Sequence, residues 1–423
     1  MKMRKIKLSC LFALLMFTVL ISALATSCGP SDDKGDFASS YFEKLGIPSF
    51  DTVKFRRVET LYENHYVTSL DSAEVLANKT AELYFEQFHE KINTRDSEAV
   101  TDALLHCYVY AIGDRYSVYR DKDEYKEYNT DMSGTFYGIG VSVTYNRIED
   151  TITVTEVYAN SGAEDAGIKP GDLIIGVDGE WLEDIGYNSV VNKIRGEENT
   201  TVNVTVLRGG DKITFTATRK KVVEESVKYS IDQNKIGYIE LSSFKDNTDE
   251  QFIEAIDYMT ENGAIGIIYD LRSNPGGYLT SVVNMLSYIS PEGTTIVSFT
   301  NDYGAPKKDR DLHSLSLPSV IICNENTASA GELFTAAMRD FDEEFGFFEV
   351  TTVGVKTYGK GVMQSTYSLG DGSTLTLTVA YYNPPCGENY DGIGIVPDVE
   401  VSLAGDADNQ LNRAYEEIFK LIN

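Results

Sequence analysis

Histidine is scarce in this 423-residue chain: there are four, His65, His89, His106 and His313. The first three fall in a stretch that reads as helical. A Ser-His-Asp triad in the C-terminal half would have to use His313, and no serine in a strained turn stands in an obvious relation to it. An HExxH zinc motif is absent. Cysteine is also sparse and unpatterned. Cys10 and Cys28 lie near the N-terminus, and Cys107, Cys323 and Cys386 are odd in number and far apart. That excludes a disulfide framework and a CxxC metal site, and leaves three thiols that read as mostly buried. Positive charge is short as well, with 37 Lys and Arg against 65 Asp and Glu and a net charge of −28. Such a surface repels phosphate backbones and argues against nucleic acid as a partner. Internal repeats and low-complexity tracts are missing.

Among what is present, the first 28 residues read as an export leader. Lys2, Arg4, Lys5 and Lys7 form a basic start and Leu11 to Leu24 an apolar run. Small residues then lead into Ala25-Thr26-Ser27-Cys28-Gly29, which resembles a bacterial lipoprotein processing site. Lipidation of Cys28 is expected; an uncleaved anchor and full secretion are the alternatives. All three put the domains outside the cytoplasm, with a membrane-anchored lipoprotein of the bacterial cell envelope preferred. Without the leader the net charge is about −32. Residues 29–41 read as a polar tether.

The rest reads as a multidomain α/β chain. Residues 42–125 carry three amphipathic patterns: Val58, Leu61 and Tyr62; Leu76, Leu83, Tyr84 and Phe88; Val100, Leu104, Leu105 and Tyr108. Asp96 or Ser97 is expected to cap the third helix. A small helical domain with no chemistry of its own is expected there. Residues 130–222 change texture, with strands at 140–145, 151–157, 172–177, 202–207 and 213–219 separated by turn signals, and helices at 162–166 and 189–195. Residues 223–423 alternate strands and helices.

Three strings in that last block could carry chemistry. Ser329, in Asn324-Glu325-Asn326-Thr327-Ala328-Ser329-Ala330-Gly331-Glu332, stands between an apolar strand and a helix. Two roles fit it: a helix cap, or a nucleophile beside amides able to hold an oxyanion, with Ala330 N–H the natural donor. Gly276 and Gly277, in Asp270-Leu271-Arg272-Ser273-Asn274-Pro275-Gly276-Gly277, allow close backbone approach, so either a second oxyanion donor or a plain tight turn fits. Gly354 to Lys360 matches GxxxxGK, but Gly361 replaces the Ser or Thr that would hold magnesium, and β structure follows where a helix is required. Lys360 fits either a surface cation or a general base whose pKa is lowered by burial, which would activate serine without histidine.

Two resemblances join these pieces. The string Ala163-Glu164-Asp165-Ala166-Gly167-Ile168-Lys169-Pro170-Gly171-Asp172, followed by Val177-Asp178-Gly179, resembles a PDZ domain. The resemblance makes Phe136 to Gly140 the carboxylate-binding loop, with Tyr137, Gly138, Ile139 and Gly140 as the peptide-binding residues. The three strings in order, with Lys356-Thr357-Tyr358-Gly359-Lys360-Gly361 and Gln364 as the third and Gly392-Ile393-Gly394-Ile395-Val396-Pro397-Asp398 as a fourth, resemble the carboxyl-terminal processing peptidases, the Ser/Lys family that includes tail-specific protease. Asp114 to Tyr119 loosely matches a further motif of that family. The resemblance implies a crotonase-like α/β core, Ser329 as nucleophile, Lys360 as general base and Gln364 orienting the lysine. It also implies an oxyanion hole of Ala330 with Gly276 or Gly277, and a PDZ domain that receives substrate C-termini and can gate the site. No metal or cofactor is implied. An endopeptidase acting near exposed C-terminal tails is the leading expectation. A tail-binding protein without activity, and a hydrolase of small acyl substrates, are the competitors; an activating partner protein is left open.

Overall fold

The computed structural model describes residues 37–146, 149–300, 307–308, 315–346, 349–405 and 407–423. The leader, Cys28 and His313 lie outside them.

Four helices open the described chain: Phe37–Lys44, Thr52–His65, Ala73–Gln87 and Ser97–Ile112. Asp51, Ser72 and Asp96 cap the last three through their side chains, so Asp96, rather than Ser97, is the cap of the third expected pattern. Thr80, a polar residue on an apolar face, is buried and donates to Leu76 O at 2.7 Å, which satisfies its hydroxyl within the helix. These helices are not a separate unit. Their core, with Val58, Tyr62, Tyr84 and Leu104, continues into Leu375, Leu377 and Val379 of a hairpin formed by Val362–Ser368 and Thr374–Asn383. The short strand Val118–Arg120 pairs antiparallel with Thr374 to Thr376 of that hairpin. A polar helix, Lys122–Met132, follows; it has no buried residue and is held at its start by a capping box between Asp121 and Glu124.

The second unit is a β-rich domain. Its strands lie in the order Val141–Asn146, Thr151–Val157, Leu173–Val177, Thr201–Arg208, Asp211–Thr218, all antiparallel, with Glu180–Trp181 beside Leu173–Val177. The helices are Gly162–Ala166 and Leu182–Ile194; the second starts seven residues before the expected 189 and bends where Gly186 adopts φ +75°. Thr135–Gly138 and Lys220–Val223 form a two-stranded ribbon at its base. Inside the turn Lys169 to Asp172, the buried Asp172 carboxylate takes both Arg208 Nε and Nη2 at 2.6 Å and Lys169 N–H at 2.9 Å. The Arg208 guanidinium holds this carboxyl below the usual range. A lowered carboxyl stabilises the fold above its unfolded pKa, and that contribution is lost as pH falls through the folded value. Asp172→Asn is therefore expected to destabilise this domain by roughly 2–4 kcal/mol at pH 7, and by less as the pH falls through the folded pKa. Hydrogen exchange of the Val154 and Ile174 amides would read the loss.

The third unit is a mostly parallel sheet in the order Val227–Ile231, Ile236–Leu241, Gly266–Asp270, Ser319–Cys323, Val350–Gly354, Val399–Glu400, the first pair antiparallel. Alternation along the central strands divides two cores. Ile267, Tyr269 and Ile321 face one that also holds residues of Thr248–Glu261, Leu279–Ile289 and Ala330–Phe345. Ile268, Val320 and Ile322 face the other, under Asn409–Ile422. The carboxyl ends of Gly266–Asp270 and Ser319–Cys323 run into the Gly276–Gly277 turn and the Ser329 turn, the end of such a sheet where ligands bind.

Candidate active site

Ser329 has φ +54° and ψ −117° at the start of Ala330–Phe345. An ordinary helix cap is extended, so this left-handed backbone is strained by roughly 1–3 kcal/mol and presents the residue as a sharp elbow. The strain is held by Glu332, one turn into the helix and fully buried. Its Oε2 accepts Ser329 N–H at 2.9 Å and Lys360 N–H at 2.8 Å; its Oε1 accepts Gly359 N–H at 2.7 Å and the Thr357 hydroxyl at 2.5 Å. One carboxylate thus ties the serine turn to the lysine loop.

The other strings act as framework. Buried Asn274 donates to Leu241 O at 2.7 Å, accepts Gly276 N–H on Oδ1 at 2.8 Å, and receives Ala328 N–H on its carbonyl at 2.9 Å. Arg272 bridges Asp270 and Asp408. Gly392 N–H reaches Gly359 O at 2.9 Å and Thr357 N–H reaches Ile395 O at 3.1 Å, so the fourth string seats the loop that carries Lys360. Close approach explains the glycine pair. A Cβ at Gly276 would stand 2.7 Å from Ser329 Cβ, and one at Gly277 would stand 2.0 Å from Phe244 O. Gly276 N–H is already given to Asn274. Among the described residues the N–H groups of Gly277 and Ala330 take no partner, which makes them the two backbone donors free at the serine turn.

Ser329, Ala330, Gly276, Gly277, Lys360 and Gln364 all line one cavity of about 380 Å³. Lys360 is half-buried, with its amine 4.7 Å from the centre of the Tyr116 ring. Burial pushes its pKa below the ordinary 10.5, opposed by the attraction of Asp114, Asp391 and Glu332 and helped by repulsion from Arg115. An amine that holds its proton less tightly when folded costs stability below its folded pKa, and the loss is recovered as pH rises towards 10.5. Lys360→Met is accordingly expected to raise Tm at pH 7, by an amount that shrinks as the pH is raised; thermal unfolding across pH 6–9 checks the sign.

The amine and the Ser329 hydroxyl share the cavity, but among the described residues no hydrogen bond joins them. The hydroxyl instead contacts the phenol of Tyr382, which donates to Lys360 O at 3.0 Å. The Gln364 amide does not meet Lys360 either. It lies 3.4 Å from Val362 O and from Thr378 Oγ1, at a bulge between Met363 and Gln364 that supplies the bend such a contact would need.

Sequence reasoning missed five contributors. Tyr116 and Arg120, from the supposedly inert helical region, line the cavity, as do Tyr128 and Met132 of the unforeseen helix Lys122–Met132. The loose motif match at Asp114 to Tyr119 was the available signal. Glu332 was visible only as part of a string. His106, Asp121 and Glu124 could bring ligand atoms within 4.8 Å of one another. Asp121 and Glu124 meet through their capping box, however, and none of the three lines the serine cavity.

In the β-rich domain, Phe136, Tyr137 and Gly138 of the expected carboxylate loop belong to the ribbon with Lys220 to Val222, and Ile139 and Gly140 follow between the ribbon and the next strand. Gly140 has φ +78°, Ile139 is buried, and Tyr137 is exposed. The strand after them, Val141–Asn146, has one free edge among the described strands. Its Tyr145 stacks on Tyr187 of Leu182–Ile194, with centroids 4.6 Å apart, which joins strand to helix.

Comparison with known proteins agrees with this layout. Residues 235–401 match Peptidase family S41 and residues 129–207 match the PDZ domain. A CtpA-like serine protease of Staphylococcus aureus (strain MSSA476) is 32% identical over 356 residues, covering 81% of this chain and 68% of the relative. Its counterpart in Staphylococcus haemolyticus is 36% identical over 310 residues, covering 72% and 60%. The fold is similar to that of an S41 protease from Bacteroides fragilis, with TM-score 0.52, 16% identity, and coverage of 86% of this chain and 97% of the other. The chain belongs to peptidase family S41, as a serine peptidase of the carboxyl-terminal processing type with a PDZ domain ahead of its catalytic core.

Proposed function

We propose that the protein cleaves peptide bonds near the C-terminal tails of proteins outside the cytoplasm, with Ser329 as nucleophile and Lys360 as base. The observation that carries this reading is the elbow at Ser329, which opens beside two unengaged backbone N–H groups and a lysine whose amine is pushed towards neutrality. Substrate binding moves the amine from the Tyr116 ring to Ser329 Oγ, as catalytic contacts often tighten only with substrate in place. Lys360 takes the hydroxyl proton as Oγ attacks the scissile carbonyl carbon. Ala330 and Gly277 N–H hold the oxyanion. The lysine then returns the proton to the leaving amine, and an acyl-Ser329 remains. Water then attacks the acyl carbon and gives a proton to Lys360, which passes it to Ser329 Oγ as the new C-terminus leaves. Gln364 limits the lysine's positions once its amide turns towards it.

The PDZ domain captures the substrate tail by adding it to the free edge of Val141–Asn146, with Ile139 and Gly140 at the carboxylate. The Tyr145–Tyr187 stack parts when a tail lies between that strand and the helix Leu182–Ile194. Cys28 carries a lipid that keeps the enzyme at the envelope surface; the support is the leader alone. Incubating the full chain with an unfolded reporter bearing an apolar tail tests the function. Cleavage of the reporter and not of its tail-less version, resistant to chelator, is expected. Binding of the tail with no cleavage would favour a tail-capturing protein instead.

A further inference from the structure

Lys360 and Arg120 are the two charged side chains among the residues lining the catalytic cavity; no carboxylate does so. With the lysine pushed towards its neutral form, Arg120 is the standing cation there. It is fixed rather than free. Its Nη1 donates to Thr376 Oγ1 at 2.9 Å, its guanidinium lies 4.0 Å over the Tyr128 ring, and its strand is paired with the hairpin. Among the described residues no acid pairs with it, although the chain carries 65 Asp and Glu. Acids of Lys122–Met132 line an adjoining outer cavity of about 600 Å³ that Arg120 also borders, and they stay out of the catalytic one.

A half-buried guanidinium with no direct ion pair has lost hydration that the more distant acids of the outer cavity only partly offset, and its remaining N–H fork is preset for a planar anion. We propose that Arg120 is a carboxylate-binding residue of the substrate cleft, and so sets specificity by pairing with a substrate carboxylate while Ser329 attacks. The carboxylate comes from either an acidic side chain close to the scissile bond or the terminus of a short tail. The inference rests on the peptidase reading above.

Four peptides separate the cases: one with a Glu near the cleaved bond, its Gln version, and the C-terminal amide of each. For the wild-type full chain, kcat/KM is expected to be roughly 10–100-fold higher with the recognised carboxylate than without it. The Glu/Gln pair reads the side chain and the acid/amide pair the terminus. In Arg120→Gln that ratio should fall to near one, and Arg120→Lys should retain part of it; Tm of both variants reports whether the strand is intact. A ratio that survives in Arg120→Gln, or a wild-type enzyme indifferent to both carboxylates, overturns the proposal while leaving the peptidase reading standing. If no peptide is cut, that reading fails, and binding of the same four peptides to Ser329→Ala by fluorescence anisotropy still decides the role of Arg120 by the same ratio.

Discussion

Replacing Ser329 with Ala, or Lys360 with Ala, is expected to lower kcat for cleavage of a tailed, unfolded protein by a factor on the order of 10⁴ or more, and the double variant should be little worse than either. The non-additivity follows from the geometry. In the proposed mechanism Lys360 serves only to move the Ser329 proton, and among the described residues lining the cavity no carboxylate or imidazole could replace it. Removing either leaves the same inert pair of backbone donors. The two variants should differ in stability. Ser329→Ala keeps the strained φ of +54° and gains nothing, whereas loss of the buried amine relieves desolvation. Activity should rise with pH along the titration of an amine whose pKa lies below 10.5, and chelator should leave it intact. Initial rates over pH 6–10 for wild type and both variants check this. A second base would show as a residual pH limb in Lys360→Ala.

Glu332→Ala is expected to lower both stability and activity. Three backbone N–H groups and one hydroxyl, drawn from Ser329, Gly359, Lys360 and Thr357, converge on this carboxylate. Truncation leaves all four without an acceptor in a fully buried position, for an expected loss of about 3–5 kcal/mol. That corresponds to a fall in Tm of roughly 10 °C for a core of this size. Without the tie, the serine turn relaxes from its left-handed backbone and the lysine loop drifts. A displacement of about 1 Å costs on the order of 10²-fold in rate, so kcat of the still-folded enzyme should drop at least that far. Glu332→Gln keeps the volume but turns an –NH₂ towards donors, and should recover only part of either loss. Calorimetry with kcat measured at 20 °C separates the two effects. A Glu332→Ala enzyme with near-normal Tm would mean that the turn is held by something else.

The parts of this molecule that follow a strong local rule could be read directly. Thr151–Val157 and Gly162–Ala166 sit at the expected residues, because alternation and a Ser-Gly turn define them without help from elsewhere. The four strings of the catalytic core were visible for the same reason, since glycine pairs and small-residue turns are demanded by close backbone approach. The polar helix Lys122–Met132 was invisible to periodicity because it buries nothing, and the capping box that starts it looks like an ordinary charged loop. The sharing of one core between Val58 or Leu104 and Leu377 joins residues some 270 or more positions apart, which no local pattern reports. The same long-range packing brings Tyr116 to Lys360 and Arg120 to the serine cavity. That Asn274 takes the Gly276 N–H and leaves that of Gly277 free is a matter of side-chain packing that the string itself does not report.

The proposed mechanism turns on acylation of Ser329. The most direct measurement is to mix the full chain with a tailed substrate, quench in acid within the first turnover, and map the enzyme's peptides by mass spectrometry. An acyl adduct is expected on Ser329, present in wild type, retained when the deacylating water is slowed by low pH, and absent from Ser329→Ala. Turnover with no adduct on Ser329, or cleavage that persists in Ser329→Ala, would contradict it.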